Sequence, residues 1–213
     1  MSSPVDHLIF ATPDLQEGID YLQDLLGLRA VIGGAHPGLG TRNALLPLGQ
    51  ACYLEVIGPD SEQSDFAGNR PFGIDDVQGC GQLACWAARR EGLAAFKDSI
   101  NAGVSILGDV IPMSRQTPTG ELLEWQMSFL GIADSNMLTV LPFFIDWDVT
   151  PHPSTQCRGQ ALLKSLEIEY PQPQSILPLI DALELEVAVT SSDKPGFSAL
   201  IGCPNGDVEL RTP

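Results

Sequence analysis

The chain of 213 residues is long enough to bury a substantial core, as one large domain or several small units. Hydrophobic residues make up 44% and charged residues 18%, and no apolar run approaches the roughly 20 residues that a membrane span needs. Eleven Lys+Arg against 27 Asp+Glu leave a net charge of −16, which repels phosphodiester backbones and anionic lipid, so neither nucleic acid nor membrane is expected as a partner.

The segment Met1 to His7 has no basic stretch leading into an apolar leader, so a cytoplasmic location is the expectation. Residues Val5 to Ala11 read as a short strand. Thr12 or Asp14 then caps a helix whose apolar positions Leu15, Ile19, Leu22, Leu25 and Leu26 recur at helical spacing, and Gly27 stops it. Strands follow at Arg29 to Ile32, Asn43 to Pro47 and Ala51 to Ile57, with a glycine-rich loop after the first. Residues 5–60 thus form a β-α-β-β-β unit.

A second unit, 80–148, opens with a strand through Gln82 and Trp86 and continues into a helix bearing Leu93, Phe96 and Ile100, ending near Ala102-Gly103. Its remaining strands are expected at Ile106 to Ile111, Leu122 to Phe129 and Met137 to Ile145. A third unit, 160–213, repeats the order: Leu8 aligns with Leu166, Pro13 with Pro171, and Leu22 with Ile180. Linkers Gly58 to Gly79 and Asp146 to Gly159 separate the units. Alternation within the strands predicts one helix-covered sheet face and one bare face on which a ligand can sit.

His7 and Glu55 interrupt otherwise apolar strands. A buried carboxylate requires a cation, a metal or several donors beside it. An imidazole and a carboxylate suit a divalent ion such as Zn, Ni, Mn or Fe; equally, the two side chains bond each other or their neighbours. In the glycine-rich loop His36 is a candidate base, third imidazole ligand or plain loop residue; Arg42 adds positive charge, and Asn43 can orient a substrate oxygen. Arg115 pairs either with a substrate carboxylate or with Glu121 or Glu124. Trp86, Trp125 and Trp147 line a pocket or fill a core, whereas His152, between two prolines, reads as a linker residue without chemistry. The five cysteines (Cys52, Cys80, Cys85, Cys157, Cys203) are odd in number and form no Cys-x-x-Cys pair, which argues against a disulfide framework or thiolate zinc. No nucleophile elbow is present.

His7 in Asp6-His7-Leu8-Ile9-Phe10, Glu55 in Tyr53-Leu54-Glu55-Val56-Ile57, the repeated β-α-β-β-β order, the loop from Gly33 to Asn43 and the stretches Met113 to Trp125 and Leu141 to Trp147 resemble the glyoxalase-like group of the vicinal oxygen chelate (glyoxalase/bleomycin resistance/dioxygenase) superfamily. The resemblance implies an α+β protein in which repeated β-α-β-β-β units form a cupped mixed sheet, with a degenerate third unit at the C-terminus. It further implies metal ligands from the first and last strand of each paired unit: His7 and Glu55, then Gln82 and Asp146. The expected activity is that of a divalent-metal-dependent lyase or isomerase acting on a small oxygen-bearing substrate, with Glu55 or His36 moving the proton and Asn43, Arg42, Arg115 and Trp125 holding the substrate. The alternative is a metal-free protein that binds or sequesters small molecules. Pairing of two chains as a homodimer stays open. In the third unit Ser165 stands where the histidine would be, so Glu209 is expected to be structural.

Overall fold

The computed structural model describes residues 4–49, 51–100, 106–156 and 161–213. In the first unit, strand β1 (Val5–Ala11) leads into helix α1 (Leu15–Leu26) and then strands β2 (Val31–His36), β3 (Thr41–Pro47) and β4 (Tyr53–Pro59). Asp14 rather than Thr12 caps α1, its Oδ1 accepting the amides of Gln16 and Glu17 at 2.8 and 3.0 Å. Gly27 closes the helix at φ 74°, a conformation that glycine adopts without strain. Ile19, Leu22 and Leu26 bury the inner stripe of α1 against the sheet.

The second unit contains β5 (Gln82–Arg89), α2 (Leu93–Ile100), β6 (Ile111–Gln116), β7 (Leu122–Ser128), the short helix α3 (Ser135–Leu138) and β8 (Phe143–Asp146). The segment expected to start a strand at Ile106 makes only an isolated bridge, Leu107 to Leu130, and the ordered strand begins at Ile111. Met137, expected in a strand, lies in α3, where Asp134 caps the turn. The predicted Ala102-Gly103 helix stop falls outside the described residues.

The two units join into one eight-stranded sheet of order β2-β3-β4-β1-β5-β8-β7-β6. β1 runs parallel to β4 and antiparallel to β5, so the first strands of the two units form the middle of the sheet. The sheet curls until its two edges meet, and Arg115 of β6 donates to the Gly33 carbonyl of β2 at 3.0 Å. A Cβ on Gly34 would lie 2.4 Å from the Gln116 carbonyl, so this seam requires glycine.

One sheet face carries the helices and the main core, with Leu8, Phe10, Trp86 and Phe144. The other face is less bare than strand alternation suggests. A second apolar cluster including Ile9, Ile57, Phe143 and Trp147 lines it, and the 3-10 turn Pro71–Asp76, inside the presumed linker, folds over its floor with Ile74 buried.

The third unit keeps the element order, β9 (Leu162–Tyr170), α4 (Pro173–Ala182), β10 (Ala188–Ser191), β11 (Gly196–Cys203) and β12 (Gly206–Arg211), but pairs its strands as β10-β9-β11-β12. Its apolar face, with Ile168, Phe197 and Ile201, joins the helix-side core, and the Asn205 amide donates to the last carbonyls of α1, Asp24 and Leu25.

Candidate functional site

The parallel register of β1 and β4 sets His7 beside Tyr53 and Ile9 beside Glu55. With period-two side chains, His7, Tyr53 and Glu55 all point into the cup. From β3, antiparallel to β4, Asn43 lies opposite Ile57 and shares that face, and His36 ends β2 next to it. His7 is 3% exposed and Glu55 7%, and strand pairing gathers His7, His36, Asn43 and Glu55, with Tyr53 beside them, in an otherwise apolar hollow.

Their hydrogen bonds form a directed chain. Asn43 Nδ2 donates to Glu55 Oε1 at 2.6 Å and faces His36 Nε2 at 3.2 Å. His36 Nε2 is therefore the acceptor, and Nδ1 carries the proton toward Thr41 Oγ1 at 3.0 Å. Burial, and after it the positive charge of Arg115, lowers the His36 pKa. This favours the neutral ring that the bond pattern requires. Asn43 Oδ1 is buried without a hydrogen-bond partner, and a Cβ on Gly33 would lie 2.3 Å from it. Only glycine at 33 leaves room for this amide.

Glu55 is approached by two imidazoles: His7 Nε2 stands 3.6 Å from its Oε2, and His36 Nε2 stands 3.6 Å from its Oε1. Tyr53 stacks on the His7 ring with centroids 4.6 Å apart. Burial drives the Tyr53 hydroxyl well above its ordinary pKa and the Cys85 thiol up to about 12, so neither supplies an anion to the cup.

Behind His7 lies a carboxylate that sequence reasoning missed. Asp6 is fully buried and Oδ1 accepts from His7 Nδ1 at 2.7 Å. Its Oδ2 meets His152 Nε2 at 3.1 Å and Trp147 Nε1 at 3.2 Å. Burial raises the pKa of Asp6, but the bonds from His152 and His7 together outweigh it and bring the value down to about 2. A register shift between Val5 and His7 in the pairing with β5 lets both consecutive side chains turn toward the same network. The one available sequence signal was an aspartate set directly before a histidine in an apolar strand. His152 is thus part of the network rather than an idle linker residue.

The facing wall comes from the second unit. Trp125, Met113, Met127, Phe143 and Ile145 bound a pocket of about 310 Å³ whose floor holds His7, Glu55 and Asn43. Arg115, 5% exposed, also lines it.

The remaining candidates lie elsewhere. Gln82 is opposite Ala11, four residues along β1 from His7, about 13 Å at strand rise. Asp146 turns to the helix side, where Oδ2 accepts the Gly92 and Leu93 amides at 2.8 and 3.2 Å and caps the start of α2. Arg42, next to inward-facing Asn43, points outward to Asp60 at 3.7 Å. Four of the cysteines are free thiols, and Cys157 falls outside the described residues.

These placements bear on the divalent ion that the resemblance implies. Among the described residues no group of three His, Cys, Asp or Glu side chains is disposed to hold a metal. The Asn43 amide, a donor, fills the gap between His36 Nε2 and Glu55 Oε1, leaving His7 Nε2 and Glu55 Oε2 as the facing pair. Two donors fall short of the three protein ligands usual at a catalytic zinc. The residues present do not fit the ion.

A family model described as a glyoxalase-like domain matches residues 5–183. Among solved structures, a hypothetical protein from Staphylococcus aureus is similar over 98% of this chain and 84% of its own, with a TM-score of 0.68 and 17% identity. That likeness shows a shared fold. Methylmalonyl-CoA epimerase from Mycobacterium tuberculosis is 19% identical, over 68% of this chain and 87% of its own, with a TM-score of 0.46. No curated protein matches the chain.

Proposed function

Since the chain belongs to the glyoxalase-like domain family, we propose that it is an enzyme of the lyase or isomerase kind that moves a proton on a small oxygen-bearing substrate, with Glu55 as the base. One observation carries this reading: an inward carboxylate, Glu55, lies 3.6 Å from two imidazoles while Asn43 fixes its orientation. Asp6 accepts from His7 Nδ1, so Nε2 is the ring nitrogen turned toward Glu55 and can relay a proton. The Asn43 amide steadies the carboxylate, and the aromatic wall excludes water from the reacting end.

The rival reading, a protein that binds or sequesters apolar molecules without chemistry, draws on the wall of Trp125, Met113, Met127 and Phe143. The two are separated by incubating the purified protein in D2O with small aryl ketones and 2-oxo acids bearing a hydrogen α to the carbonyl, followed by NMR. Catalysed deuterium incorporation supports the enzyme. Tight binding of these compounds without any exchange favours sequestration.

A further inference from the structure

We propose that the ligand of this cup is a monocarboxylate on a planar apolar body, and that Arg115 receives the carboxylate. This names the substrate class of the same site and rests on the proton-transfer reading only for which end of the ligand reacts.

Among the described residues that line the cup, Arg115 is a cation without a carboxylate partner. The Arg115 guanidinium is 5% exposed and lines the pocket. One of its five N–H donors reaches the Gly33 carbonyl at 3.0 Å, and no carboxylate among the described residues lies within ion-pair distance of it. The acid nearest in sequence on the paired strand, Glu124, is opposite Ser114 and therefore on the outer face of the sheet, while Arg115 is opposite Leu123 on the inner face. Removing a guanidinium from water without a counter-charge costs several kcal/mol. The seam between β2 and β6 nevertheless holds it there through a neutral carbonyl. A ligand anion supplies the missing partner, and the planar fork suits a carboxylate in bidentate fashion.

The rest of the cavity defines the body. Its walls are apolar, and Trp125 and Trp147 lie with ring centroids 5.5 Å apart. A volume of about 310 Å³ is at the small end of ligand pockets, which run from roughly 300 to 1,000 Å³. One anionic charge suits the single free guanidinium, whereas a phosphate dianion would bring excess negative charge into a cavity that already holds Glu55. The ligand therefore spans the cup, with its carboxylate at Arg115 and its reacting carbon toward Glu55.

The test is equilibrium binding, read by tryptophan fluorescence, of 2-naphthoate and its neutral near-isostere 2-naphthamide. Wild type should bind the carboxylate about tenfold or more tightly than the amide, the scale of one charge-assisted contact. Arg115→Met should abolish that preference and leave amide binding unchanged, and Arg115→Lys, which keeps the charge but loses the fork, should retain part of it. Glu55→Gln, which removes a negative charge from the same cavity, should keep or increase the preference. Equal affinities in wild type, no binding of either probe, or a preference that survives in both Arg115 variants would overturn the proposal. Because the readout involves no turnover, its failure is distinguishable from failure of the proton-transfer reading, which depends on exchange in D2O.

Discussion

Asp6 accepts the Nδ1 proton of its chain neighbour His7 at 2.7 Å, so a residue outside the cup dictates which ring nitrogen faces Glu55 inside it. Both Asp6 oxygens are occupied, by His7 on one side and by His152 and Trp147 on the other. Asp6→Asn replaces an acceptor pair with a mixed group and strands at least one buried donor. We expect a loss of about 3 kcal/mol in urea-denaturation stability and a changed pH profile for exchange. A destabilised variant with the wild-type pH profile would mean that Asp6 only supports the fold.

The same carboxylate makes stability depend on pH. Its folded pKa of about 2 lies below the unfolded value of 3.8, so between them the unfolded chain binds more protons. The resulting contribution, about 2 kcal/mol, is full above the unfolded value and lost as pH falls toward 2. His36, depressed below 6.5 by burial and then by Arg115, acts in the same direction: stability declines as acidification passes 6.5. Urea midpoints at about pH 7, 5 and 3 should fall steadily in wild type, and Asp6→Asn should lack the most acidic part of the decline. A midpoint that rises on acidification would contradict both assignments.

Gly33 makes room for the Asn43 amide. Gly33→Ala should push that amide off Glu55, destabilise the protein by about 1–3 kcal/mol as overpacking does, and reduce exchange. Adding Asn43→Ala should relieve much of the folding loss without restoring exchange. Additive stability effects in this double-mutant cycle would show that the two positions do not share the space.

For the metal, protein purified without an affinity tag should carry well under one divalent ion per chain by elemental analysis, and chelation should leave exchange unchanged. A stoichiometric ion that disappears in His7→Ala would reverse that conclusion.

Much of the first unit was legible because its signals are local. The Asp14 cap, the stripe of Ile19, Leu22 and Leu26, and the intrusion of His7 and Glu55 into apolar strands need no knowledge of pairing. What escaped depends on register or on distant partners. Strand parity alone left the partner of His7 in β5 undetermined, and pairing with β1 carries Gln82 to Ala11. Asp146 resembles Glu55 in its sequence setting, yet it points to the other face and caps a helix that begins more than fifty residues earlier. A bulge hid Asp6, and His152 reaches it from a stretch without periodicity. In the third unit the element order was readable while the strand order was not, because the pattern of apolar residues in β9 is the same at the edge of a sheet and between two neighbours.

Proton transfer by Glu55 is examined most directly in Glu55→Gln, which keeps the shape and the Asn43 contact but removes the basic carboxylate. The measurement is the rate of deuterium incorporation at saturating ligand, alongside the dissociation constant of that ligand. The rate should fall by about a hundredfold or more, with binding not weakened. Wild-type exchange by a variant that binds normally would contradict proton transfer by Glu55 and assign the proton to another group in the cup.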